Sequence, residues 1–223
     1  MKLLIATRNQ GKLREYEALL TGLGLELVDL TEAGIALEVE ERGATFEENA
    51  VLKARAYAQA SGLLTLADDS GLQVDALGGE PAIRSARYDG HGGSDEDRYW
   101  LLLRHLEGVP EQERRARFRC VIAIATPGGE VHTAEGTCEG RIAFQPRGSH
   151  GFGYDPVFFV LEYGCTMAQL PPELKNRISH RARAAEGARE ILPQVLGRIV
   201  IRNGLWSTRD GVTHHGKGTK TEN

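Results

Sequence analysis

Apolar and polar positions switch between two periods along this chain, and the switch points outline its elements. Lys2 to Ala6 is a short apolar run that predicts a buried strand, ended by the polar stretch Thr7-Arg8-Asn9-Gln10-Gly11. Leu13, Tyr16, Leu20 and Leu23 fall on one face of a helix, which Gly22 and Gly24 stop. Leu25 to Val28 reads as a second strand. Thr45-Phe46-Glu47-Glu48 has the form of a capping box, in which Thr45 and Glu48 satisfy free amides at a helix start. The alanine-rich helix it opens runs to Gly62. Leu63 to Ala67 is the next strand, with Asp68-Asp69-Ser70-Gly71 at its C-terminal end. The order strand–helix–strand–helix–strand predicts an α/β fold with helices on the faces of a sheet.

A helix follows from Asp95 to His105, and then the pattern changes. Phe118, Cys120, Ile122 and Ile124 alternate with Arg119, Val121 and Ala123, Pro127-Gly128-Gly129 makes a turn, and Val131 to Cys138 runs back. This is a β-hairpin pattern, so the sheet is expected to be mixed. Val157 to Val160 is another strand, and Ala182 to Leu192 a helix ending at Pro193. Beyond about Asn203 the periodicity ends. A single domain over 1–200 is therefore expected, with 201–223 as a frayed tail. There is no internal repeat.

Composition narrows the function classes. The 223 residues are 41% hydrophobic and 26% charged, with a net charge of −4. That is ordinary globular composition, and it argues against a protein that coats nucleic acid, whose footprint would be basic. No apolar run approaches the length of a membrane span. The apolar core of the N-terminus is too short for a signal peptide. Cys120, Cys138 and Cys165 lack metal-type spacing and cannot all pair, so reduced thiols in a cytoplasmic protein are expected.

Five stretches can carry chemistry, and each has a plain structural alternative. Thr7 to Lys12 joins a strand to a helix, where free amides and a lysine suit phosphate, or form only a polar turn. Its glycine spacing is not that of a Walker A loop. Asp68 and Asp69 point to opposite faces of an extended strand, so one of them can reach a given cleft. A carboxylate there suits a hard cation such as Mg2+ or can take a proton from water; Asp-Ser-Gly is also turn chemistry. Glu40-Glu41 and Glu47-Glu48 read as solvated glutamates, one of which can complete a metal site with Asp69. Gly151-Phe152-Gly153-Tyr154-Asp155-Pro156 sets two aromatics among glycines, for stacking on a base or for packing into the core. Ser179-His180-Arg181, with Lys175 and Arg177 before it, crowds cations at a helix start whose dipole disfavours them. A compensating anion is expected there.

These stretches, with Thr45 to Ala50, Lys53-Ala54 and Ser85-Ala86-Arg87-Tyr88, occur in the order of one family and span about Lys2 to Leu196. The chain resembles the nucleoside-triphosphate pyrophosphatases that act on deaminated purines. The resemblance implies an elongated α/β protein, a mixed sheet with flanking helices in two lobes around a cleft, and a homodimer. It implies hydrolysis of ITP, dITP and XTP to monophosphate and pyrophosphate with Mg2+, which clears these bases from the nucleotide pool, without a stable nucleic-acid or membrane partner. Carried over by residue, Thr7, Arg8, Asn9, Gln10, Gly11 and Lys12 form the phosphate turn. Glu40 and Asp69 hold the metal, and Asp69 also accepts the proton. Lys53 lies over the phosphates and Ser70 contacts substrate. Phe152, Gly153, Tyr154 and Asp155 hold the base, while Lys175, His180 and Arg181 contact base and phosphate. Arg8 stands where the family usually has Gly, and either adds a phosphate contact or points outward. Related pyrophosphatases for pyrimidine or modified bases, and a non-catalytic nucleotide sensor, are the alternatives. A serine hydrolase on Ser70 and His180 lacks its Gly-x-Ser-x-Gly elbow.

Overall fold

A computed structural model of the chain describes residues 1–90 and 92–202. By internal contacts the chain divides into two compact units, Met1–Arg189 and Glu190–Asn223. The functional chemistry lies in the first. The expected tail lies outside the described residues from 203 onward.

Seven strands form one mixed sheet: β1 (Lys2–Ile5), β2 (Glu26–Asp29), β3 (Leu64–Val74), β4 (Arg115–Ala125), β5 (Val131–Ile142), β6 (Phe158–Val160) and β7 (Cys165–Thr166). Their spatial order is β2-β1-β3-β4-β5-β6-β7. β1 runs parallel to β2 and β3, and every later pairing is antiparallel. The helices are α1 (Gln10–Leu19), α2 (Phe46–Ser61), α3 (Asp95–His105), α4 (Pro172–Ile178) and α5 (His180–Arg202). The α/β expectation with a mixed sheet holds.

Local chemistry explains most boundaries. Asn9 caps α1, its Oδ1 accepting from the Lys12 amide at 3.0 Å. Thr45 caps α2 by accepting from the Glu48 amide at 3.1 Å, and Gly62 closes that helix in the left-handed region at φ 67°. Only half of the expected capping box forms, because Glu48 accepts from the Ala44 amide instead of from Thr45. Ala50, Ala54 and Ala58 let α2 lie close on Leu4, Ala67, Val121 and Ala123. A second core gathers Leu72, Val74, Leu102, Leu106, Phe118 and Phe158.

Two elements differ from their sequence expectations. β3 does not end at Ala67: Asp68 to Gly71 sit in mid-strand, paired with Ile122 to Arg119 of β4. A ladder to a long neighbour outweighs the turn preference of Asp-Ser-Gly. The C-terminal helix starts at His180 and continues through Pro193 to Arg202, since an internal proline forfeits one hydrogen bond without having to end a helix.

Candidate functional site

β3 is longer than β1, whose pairing with it stops at Ile5↔Leu66. Asp68 and Asp69 therefore lie just past the end of the parallel pair, where a cleft opens that is lined from α1, α3, α4 and α5. The pleat sends their side chains to opposite faces. Asp68 meets Lys12 at 2.9 Å and Arg181 at 3.4 Å. Burial alone would raise its pKa, but Lys12, Arg181 and Lys53 together hold the carboxyl well below the usual range. It is a permanent counter-ion.

Asp69 faces α2. Its Oδ2 accepts from Asn49 Nδ2 at 3.0 Å, and its Oδ1 accepts from the Ser70 amide at 3.0 Å. Lys53 Nζ stands 3.8 Å from Asp69 Oδ1 and 2.5 Å from Glu41 Oε1. Burial raises the Asp69 pKa, Lys53 opposes, Glu41 adds to the rise, and the net position is above the ordinary value. A carboxylate so placed is a better proton acceptor than a free aspartate.

The other wall comes from the loop before β6 and from α4 and α5. Lys175 Nζ is buried between Asp155 and Glu15, with Glu15 Oε1 at 2.9 Å. Arg181 meets Glu15 Oε2 at 2.6 Å, and its Nη2 donates to Ser70 Oγ at 2.9 Å. The anion expected for this crowded helix start is thus largely the protein's own: Glu15, Asp68 and Asp155. Ser179 caps α5 as expected, accepting from the Ala182 amide at 3.1 Å. His180 stacks on Phe118, ring centroids 4.7 Å apart, and its buried Nδ1 has no hydrogen-bond partner among the described residues. Burial, then Arg181 and Lys175, keep the imidazole neutral. His180 lines the cleft, while its unpartnered Nδ1 is closed to solvent. Phe152 lies over the Lys175 ammonium, 4.6 Å to its centroid. An added Cβ on Gly11 would come within 2.5 Å of that ring, so any larger residue there would displace Phe152.

The residue model of the Ham1 family matches residues 3–191. The chain belongs to the Ham1 family. It is 55% identical to a dITP/XTP pyrophosphatase of Geobacter sulfurreducens over 82% of this chain and 92% of the relative. It is 47% identical to the Bacillus subtilis dITP/XTP pyrophosphatase over 85% and 96%. The solved Staphylococcus aureus Ham1 protein superposes with a TM-score of 0.78 at 42% identity, covering 87% of this chain and all of that one.

Within this Ham1 cleft, of about 170 Å³, the structure brings together Asn9, Lys12, Asp69, Ser70, Phe152, Gly153, Tyr154, Asp155, Lys175, His180 and Arg181. Other sequence candidates stand off it. Thr7 supports the turn by accepting from the Asn9 amide, and Lys53 sits behind Asp69 and Glu41. Gln10 and Gly11 belong to the first turn of α1. Arg8 points outward to the carbonyls of residues 35–37. Glu40 is exposed and paired with Arg42 at 2.6 Å, whereas its neighbour Glu41 lines the cleft. Tyr154 is largely core, its hydroxyl donating to the Ser85 carbonyl at 2.9 Å.

Sequence reasoning missed Glu15, Asp95 and Arg98. Asp95 Oδ2 accepts from the Gly153 amide at 2.6 Å, tying α3 to the aromatic loop. Glu15 lies two positions past Leu13 on a helix read only for its apolar face, and four residues before Leu19; its acidic character next to Tyr16 was the available signal. A larger cavity, about 360 Å³, lies by Arg141, Phe144 and Phe159. It has no paired carboxylates, so size is the poorer guide to the chemistry here.

No cluster of three or more His, Cys, Asp and Glu side chains forms a ready metal cage among the described residues. Glu41 and Asp69 offer carboxylate oxygens that share Lys53 as a neighbour. Such a set suits a hard divalent cation that keeps waters and takes its other ligands from phosphates.

Proposed function

We propose that this chain hydrolyses deaminated purine nucleoside triphosphates, ITP, dITP and XTP, to monophosphate and pyrophosphate, using Mg2+ held by Asp69 and Glu41. The observation that carries the reading is one cleft joining an acidic pair backed by a lysine to a wall with a stacking ring, a buried lysine and a neutral histidine. The names of the 55% and 47% identical relatives support the same substrate class. When bound, the metal would neutralise phosphate charge and acidify water.

The protein's own groups supply the rest. Lys12, with Asn9 beside it at the head of α1, receives phosphate oxygens. Asp69 takes a proton from water as its oxygen bonds to the α-phosphorus; the α–β anhydride bond breaks and pyrophosphate leaves with that electron pair. Lys53 keeps its charge against burial through Asp69, Asp68 and Glu41, and from beside those carboxylates its field offsets the developing negative charge. At the base end, the Lys175 ammonium has three donors and gives two to Asp155 and Glu15, leaving one for the 6-oxo oxygen. An adenine 6-amino group would leave that donor unpaired, and a site built on such a bond can reject its lack about 10,000-fold. We include the homodimer in this reading; light scattering tests it.

Product analysis on a panel of triphosphates, with and without Mg2+, tests the function. Pyrophosphate from ITP and XTP only with metal supports it. Orthophosphate release, or equal rates on ATP and ITP, sinks it.

A further inference from the structure

Glu41 reaches the cleft from the connection between β2 and α2, residues 30–45, which has no regular structure. Its two ends are well held. At one end Asp29 Oδ1 accepts from the Thr31 and Glu32 amides, both at 2.7 Å. At the other, the Gly43 amide donates to Asn49 Oδ1 at 2.7 Å and the Ala44 amide to Glu48 Oε2 at 2.6 Å. The middle is different. The Ile35 amide donates to the Leu30 carbonyl at 2.8 Å, Arg42 reaches Glu40 at 2.6 Å, and Ile35 and Val39 pack on the core beneath α2. Among the described residues, the other hydrogen bonds tying residues 35–40 to the rest of the chain come from two side chains. Tyr57 Oη donates to the Leu37 carbonyl at 3.3 Å. Arg8 Nη2 faces three consecutive carbonyls, Ile35 at 3.4 Å, Ala36 at 3.4 Å and Leu37 at 3.1 Å.

We propose that Arg8 is a positioning residue, which staples the middle of this connection to the β1–α1 turn and so sets where Glu41 stands. Arg8 sits in the turn that leads into Lys12, so its guanidinium joins the phosphate side of the cleft to the segment bearing one of the two cation-binding carboxylates. Nη2 has two N–H donors to share among the three carbonyls, Leu37 at 3.1 Å being the nearest, and its charge strengthens the bonds it makes. A glycine at position 8 has no such reach. With the staple in place, Glu41 meets Lys53 and Asp69 already ordered. Without it, Tyr57 and the apolar contacts of Ile35 and Val39 hold the segment more loosely, and more of its ordering falls to substrate and metal, at an entropic cost. The inference rests on the pyrophosphatase reading for its catalytic consequence, but not for the staple itself.

The test compares the full-length protein with Arg8→Ala and Arg8→Lys. Hydrogen–deuterium exchange of peptides covering 35–42 reads how well the segment is ordered, without nucleotide. Arg8→Ala is expected to speed exchange there about fivefold, the scale of one lost hydrogen-bonded contact. The Mg2+ concentration for half-maximal ITP hydrolysis should rise by a similar factor, more than the rate at saturating Mg2+ falls, with Arg8→Lys intermediate in both. Unchanged exchange over 35–42 overturns the proposal. A raised nucleotide KM, with exchange and metal response unchanged, also overturns it by making Arg8 a phosphate contact. A wild-type protein inert toward ITP would defeat the proposed function, while exchange would still decide the staple.

Discussion

Asp69 is held at both oxygens, by the Ser70 amide and by Asn49. Asp69→Asn is nearly the same shape but cannot accept a proton from water. Turnover is expected to drop about 100- to 10,000-fold, the usual contribution of a positioned base, while stability falls by about 1–3 kcal/mol, because the new NH2 meets one of the two donors and a hydrogen bond is lost. A variant keeping a tenth of the activity would move the proton to another group. His180 gives a pH prediction with the opposite chemistry. Burial, with Arg181 and Lys175 beside it, depresses the imidazole well below 6.5. The unfolded chain takes up this proton as pH falls through about 6.5, and the folded chain does so only far lower. Stability present above that pH is therefore lost on acidification. Urea midpoints at pH 7.5 and 5.5 should show the loss, and His180→Gln should reduce it. Equal losses in both proteins would assign the acid sensitivity elsewhere. Asp68 is separable, because its depressed pKa acts only below about pH 4.

At the scale of elements, the start of α5 is set by Gly136 of β5. A Cβ added there would lie 2.2 Å from the His180 carbonyl oxygen and 2.3 Å from the Ala184 amide nitrogen. Gly136→Ala must therefore push the helix start, with His180 and Arg181, away from the sheet. A loss of about 1–3 kcal/mol in chemical denaturation is expected, with a larger fall in activity than stability alone explains. Full activity and stability would mean the helix start has room to move. The elements legible in the sequence were those whose signals are local: the alternating hairpin of β4 and β5, α3 to the residue, and the Thr45 cap with Gly62 closing α2. What escaped depends on partners far along the chain. The second half of β3 reads as a turn until β4 lies beside it. Glu40 and Glu41 are equivalent in sequence, and only the course of an irregular connection sends one outward and the other into the cleft. Glu15 reads as a solvated helix residue until Lys175 and Arg181 arrive from more than 150 positions away.

Across the molecule, alternating charges link the two walls of the cleft: Lys12 to Asp68, Arg181, Glu15, Lys175 and Asp155. Ligand that touches both ends should stabilise the whole first unit. In Asp69→Asn, which should bind without cleaving, ITP with Mg2+ at a hundred times its Kd is expected to add about 2.7 kcal/mol of stability. ATP at the same concentration should add much less, and a thermal melt measures both; equal shifts would contradict base recognition by this wall. The sheet that carries these groups also has a parity. Asp68 stands opposite Ile122 and Asp69 opposite Val121, and nothing but that register distinguishes two identical neighbouring side chains. One becomes a fixed counter-ion and the other a proton acceptor according to whether its position is even or odd. Sliding β3 by one residue along β4 would turn each aspartate to the opposite face of the sheet without changing either side chain.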